Sequence, residues 1–135
     1  MSPEQIALVR STHQLVAPGL DQLVVAVRHT ISATHPELGP ALPFDPRPAE
    51  SDPTASLSEL ISRVTDLPSF RERAASAGRV HKESGASARH YQVFFPSLTD
   101  ALADALGDEW NDEVAAAWRL VFALMTQSML DGAVT

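Results

Sequence analysis

Six of the ten prolines in this 135-residue chain fall between Pro36 and Pro53. No continuous α-helix can cross that stretch, because each ring removes a backbone donor and clashes with the carbonyl four residues back. On both sides the apolar residues recur at helical spacing. The chain therefore divides into a two-helix N-terminal part and a longer helical C-terminal part, joined by a proline-stiffened connection. Ser2, Pro3 and Gln5 read as a cap, a first-turn proline and a reciprocal cap partner for a helix that places Ile6, Val9 and Val16 along one side and stops at Pro18 and Gly19. Leu20, Leu23, Val24, Val27 and Ile31 form the stripe of a second helix that runs out at His35 and Pro36.

Beyond the prolines, Asp52 and Pro53 look like the cap and first turn of a helix with Leu57, Leu60, Ile61, Val64 and Leu67 on one face. A shorter helix begins near Pro68, where Phe70, Ala74, Ala77 and His81 recur at four, three and four residues, with Gly85 as the stop. His81 thus lies on the inward stripe. A Ser87 start leads into Tyr91, Phe94, Phe95, Leu98, Leu102 and Ala105, with a kink expected at Pro96 and an end at Gly107. Asn111 opens a final helix with Asp112 and Glu113 in its first turn and Val114, Trp118, Val121, Met125 and Met129 on its buried side. No strand pattern, internal repeat or low-complexity tail interrupts this reading. It is that of an all-α chain forming a single domain over residues 1–135.

Composition narrows the function classes. The net charge of −7 disfavours nucleic-acid or anionic-membrane partners, which reward a basic face. With no cysteine there is no disulfide, thiolate ligand or cysteine nucleophile. The start "MSPEQIALVR" has no basic segment leading into an apolar run, and no later run approaches a membrane span, so a soluble, cytoplasmic protein is expected. There is no glycine-rich phosphate loop, no nucleophile elbow, and no pair of acids on a helix face near the inward histidine.

The order of these parts narrows the fold further. "LPSF", His81 fourteen residues after Leu67, Tyr91 ten after His81, the "HY" pair, "ALADALGDEW" and "AAAW" form a pattern that, with "HPEL" at residues 35–38, resembles the globin family. The likeness is to bacterial single-domain globins and the globin domain of flavohaemoglobins. It implies a globin fold, a helical sandwich around a haem pocket, here with the proline-rich loop replacing the start of the distal helix. It covers nearly the whole chain and is thinnest over residues 39–56.

On that resemblance His81 takes the place of the proximal haem ligand, and haem b is the implied cofactor. The residue pattern alone also accommodates a buried histidine bonded to backbone. Tyr91 matches the proximal tyrosine of flavohaemoglobins, or caps a buried carbonyl. The glutamate that completes the proximal network in those proteins is replaced by Ala133, with Asp131 the nearest carboxylate. On the distal side Arg28 stands where such globins carry a tyrosine. It either donates to a bound ligand or haem propionate, or lines the core with its stem while the guanidinium reaches water. Leu42 falls at the usual haem-packing phenylalanine, with Phe44 as a substitute after a small shift. The gate position becomes Ala49 and the apolar residue one turn later becomes Pro53, and Leu57, Ile61, Phe94 and the proline-rich loop are left to wall the pocket. His29 falls on the opposite face of its helix, and His13, His35 and His90 have no metal-ligand spacing.

Two functions follow from the resemblance. One is a haem globin that binds oxygen, nitric oxide or a small anion for transport, sensing or nitric oxide detoxification, any turnover drawing electrons from a separate reductase. The alternative is a degenerate globin with weak or no haem that serves as a sensor or interaction module.

Overall fold

The computed structural model describes residues 1–44 and 56–134, and among these every regular element is helical. Helix α1 (Pro3–Val16) begins with the reciprocal cap anticipated from its sequence: the Ser2 hydroxyl accepts from the Gln5 amide at 3.1 Å, and the Gln5 side chain accepts from the Ser2 amide at 2.9 Å. A 3₁₀ turn at Ala17–Gly19 passes directly into α2 (Leu20–Thr34), which buries Leu20, Val24, Val27 and Ile31. Pro36 ends that helix, and its ring fits the first position of a second 3₁₀ turn, Pro36–Leu38.

The next helical stretch differs from expectation. Asp52 and Pro53 lie outside the described residues. The stripe from Leu57 to Leu67 is divided between α3 (Leu57–Ser62) and the start of α4 (Leu67–Glu83). Pro68 is the reason: it has no N–H to give the carbonyl of Val64, while the Asp66 carboxylate accepts from the Ser69 amide at 3.3 Å and starts a new helix. Arg63 ties the turn, donating to Glu59 at 2.7 Å and to the Ser69 hydroxyl at 3.1 Å. Val64 stays fully buried although it is outside both helices.

Helix α5 (Ala88–Leu106) runs through Pro96 without a break and ends at Gly107, whose φ of 54° is in the left-handed region that glycine tolerates. Asn111 caps α6 (Asp112–Ala133), accepting from the Val114 amide at 3.0 Å. No helix among the described residues is long and apolar enough to cross a membrane.

The most extensive helix contact is α4 against α6, while α2 packs on α5 and α1 on α6. Two glycines make the first contact possible. A Cβ on Gly78 would stand 2.1 Å from the Met129 carbonyl oxygen, and one on Gly132 would stand 2.3 Å from that of Ala75, so the two backbones nearly touch. At the other end of the core the fully buried Trp118 donates its indole N–H to the Thr12 hydroxyl at 2.8 Å, and that hydroxyl in turn donates to the Leu8 carbonyl at 2.6 Å. A buried indole is thereby satisfied from α1.

Gly78→Ala should destabilise the protein by about 1–3 kcal/mol, because the obstructing atoms belong to backbone and the helices must separate. Gly19, with nothing within 4 Å of a built Cβ, should accept alanine within about 0.5 kcal/mol. Urea midpoints of the two variants check the contrast.

Candidate functional site

His81 occupies the last turn of α4 and is 8% exposed. Its ring is held at both nitrogens. Nε2 accepts from the backbone amide of Phe44 at 3.2 Å, and Nδ1 lies 3.2 Å from the Tyr91 hydroxyl on α5. Burial, and secondarily the Arg28 guanidinium, lower the imidazole pKa from 6.5 to about 4, so it is neutral at physiological pH. A neutral ring that accepts at Nε2 must carry its proton on Nδ1 and donate it to the Tyr91 oxygen. Tyr91 is itself pushed up to about 12 by burial and stays a phenol.

Phe44 supplies more than its amide. Its ring meets His81 edge-on, with centroids 4.8 Å apart, and lies 6.0 Å from Phe94 and 6.1 Å from Phe95. Phe95 continues this aromatic run by stacking on Phe122 at 4.8 Å. Leu42 and Phe44 are both buried, 5% and 4% exposed, although neither is in a helix. Phe44 reaches its position with φ at +60°, the left-handed region where a side chain costs about 1–2 kcal/mol. Burial of the ring, about 1.5–3 kcal/mol, and the bond to Nε2, about 0.5–1.5 kcal/mol, offset that strain.

Arg28 holds the same segment from the α2 side. Its guanidinium donates to the carbonyl oxygen of Leu42 and, at 3.0 Å, to that of Pro43. These backbone acceptors belong to neither sequence reading of Arg28. Of the other expected site residues, Phe94 is in ring contact with Phe44. Leu57 and Ile61 are buried on α3 within the same core. Ala49 and Pro53 lie outside the described residues. Asp131 is exposed, and the Ala133 carbonyl accepts from Lys82 at 2.8 Å. Among the described residues no three His, Asp or Glu side chains gather as a metal cluster.

His90 has a role that metal-ligand spacing could not reveal. Its Nδ1 accepts from the Ser87 amide at 3.0 Å, and its Nε2 donates to the Leu38 carbonyl at 2.8 Å. It therefore caps α5 and ties the Pro36–Leu38 turn to it, steering the chain toward Phe44. The signal available in sequence was its place three residues after Ser87, where a capping-box acceptor belongs. His13 likewise bonds the Ser58 hydroxyl at 3.2 Å across α1 and α3. An open groove of about 710 Å³ along α5 and α6, with Phe95, Pro96, Phe122 and Leu130 in its walls, reaches Tyr91 but not His81.

The histidine leaves a signature in stability. The unfolded imidazole takes its proton near pH 6.5 and the folded one near 4, so the folded state binds fewer protons in between. Stability therefore declines as pH falls through that window, by about 3 kcal/mol in full. His13, also lowered by burial, contributes in the same direction. Urea midpoints between pH 7 and 4 should fall less steeply in His81→Phe than in the parent, with His13→Gln separating the second contribution.

The globin family model matches residues 54–129, which include α3, α4, α5 and most of α6. A leghemoglobin from Canavalia lineata is 36% identical over 45 residues, 33% of this chain and 30% of that protein, so the match spans under a third of the relative's length. With its all-helical fold and the histidine of α4 turned inward, the chain belongs to the globin family.

Proposed function

We propose that this chain is a haem-binding globin in which His81 is the iron ligand. The observation that carries the reading is the state of His81: buried and neutral, with its proton on Nδ1 and its lone pair on Nε2. That is the tautomer a metal-binding imidazole needs, with the second nitrogen oriented by a hydrogen bond. Haem, when bound, supplies an iron centre with a coordination position for a diatomic gas such as oxygen or nitric oxide, or for a small anion. Tyr91 fixes the ring and its tautomer. Leu42, Phe44 and Phe94 provide apolar surface that excludes water.

The spacing of His81 and Tyr91 supports kinship with flavohaemoglobin-type globins, and the leghemoglobin match supports a haem protein more generally. The donor chemistry fits haem. The space beside Nε2 is taken by Phe44, so residues 42–44 must move for the iron to approach. That same contact favours a second reading, a globin that keeps the frame with weak or no haem. Among the described residues no buried side-chain polar atom lacks a partner, as a closed site requires.

Titration of the purified protein with haemin separates the two. One equivalent should produce a strong Soret band, and His81→Ala should lose that stoichiometric uptake while keeping its helical circular dichroism. An unchanged spectrum in His81→Ala would remove His81 as the ligand. No uptake by the parent protein would leave the second reading.

A further inference from the structure

We propose that Arg28 is a latch: by holding the Leu42 and Pro43 carbonyls it keeps Phe44 over His81, and the Phe44 amide occupies the coordinating nitrogen until the segment swings away. The consequence for haem uptake rests on the function proposed above. The latch itself does not.

Three features of residues 42–44 converge on this. The segment is pinned from both sides, by a guanidinium on α2 and an imidazole on α4. Its last residue is a phenylalanine in the left-handed region, a conformation that side chains rarely adopt without surrounding structure to impose it. Its ring is buried against His81, Phe94 and Phe95, so leaving would expose a full aromatic face. The closed arrangement thus combines stored backbone strain with directed polar contacts and ring burial. Arg28 is suited to the role because one nitrogen of its permanently charged guanidinium reaches both successive carbonyls from α2. Its contribution is to position a segment, and through it to set access to Nε2.

A group that binds Nε2 reaches only the open fraction of molecules, so its apparent affinity is reduced by that fraction. Loosening the latch should therefore raise access to Nε2 by roughly tenfold to a hundredfold, the effect of losing a charge-assisted contact. The test reads access without haem. Diethyl pyrocarbonate acylates accessible neutral imidazoles, and peptide mapping reports each histidine separately. In the parent protein His81 should react far more slowly than the exposed His29.

Arg28→Leu should speed the reaction at His81 at least tenfold, with Arg28→Lys in between. Phe44→Pro, which deletes the N–H and cannot adopt a φ of +60°, should do the same with Arg28 intact and checks that the Phe44 cover is what limits access, while Arg28→Lys keeps the latch testable if Arg28→Leu folds poorly. Haemin uptake by both variants should be faster than by the parent. The proposal is overturned if His81 of the parent reacts as fast as His29, or if Arg28→Leu, or Arg28→Lys where Arg28→Leu does not fold, leaves its rate unchanged. Faster acylation in the variants with no haemin uptake by any form would leave the latch standing and remove the haem reading.

Discussion

A neutral imidazole held at both nitrogens joins three segments that are far apart in the chain: the residues after the Pro36–Leu38 turn, the end of α4 and the first turn of α5. Because His81 is buried and uncharged, each of its nitrogens must be paired, and each pairing fixes something else. Nδ1 orients the Tyr91 hydroxyl and with it the start of the aromatic run to Phe95 and Phe122. Nε2 accepts the amide of Phe44 and so draws a non-helical segment into the core. The one ring decides both the polarity of the site and what covers it.

The frame behind this ring is set by close backbone approach. Gly78 lies on α4 one turn before His81, and its contact with the Met129 carbonyl brings α6 against α4 at the height of the site. A wider helix pair would shift His81 relative to α5, where a tyrosine hydroxyl 3.2 Å away leaves little tolerance. His90 performs the complementary task from α5, since its bond to the Leu38 carbonyl sets where the chain emerges from its second 3₁₀ turn. Packing and polar pairing thus act on the same few residues from opposite ends.

Arg28 shows how a site can be read in two chemical terms. Its charge opposes protonation of His81 and helps keep the imidazole neutral. Its hydrogen bonds hold the segment whose amide occupies the imidazole lone pair. The first action favours metal ligation and the second opposes it. The chain therefore carries an imidazole in the neutral state that the proposed ligation would need, covered by its own backbone.

Much of this was legible from the residues. The caps at Ser2, Ser87 and Asn111, the stop at Gly107 and the inward stripe from Phe70 to His81 follow from local chemistry that needs only neighbouring residues, and each is present. The new helix near Pro68 was anticipated, but the early end of α3 at Ser62 was not, because the apolar stripe continues through Val64 to Leu67 and periodicity alone extends the helix along it. By itself the sequence determined an all-α chain, an inward histidine and a tyrosine ten residues beyond it, since spacing along a helix sets which side chains share a face. Only the tertiary structure decided what Nε2 meets and where the Arg28 guanidinium goes. Phe44 and His81 are 37 residues apart, Arg28 and Leu42 14 residues apart, and their meetings depend on how α2, α4 and the proline-rich turn pack, which no local pattern specifies.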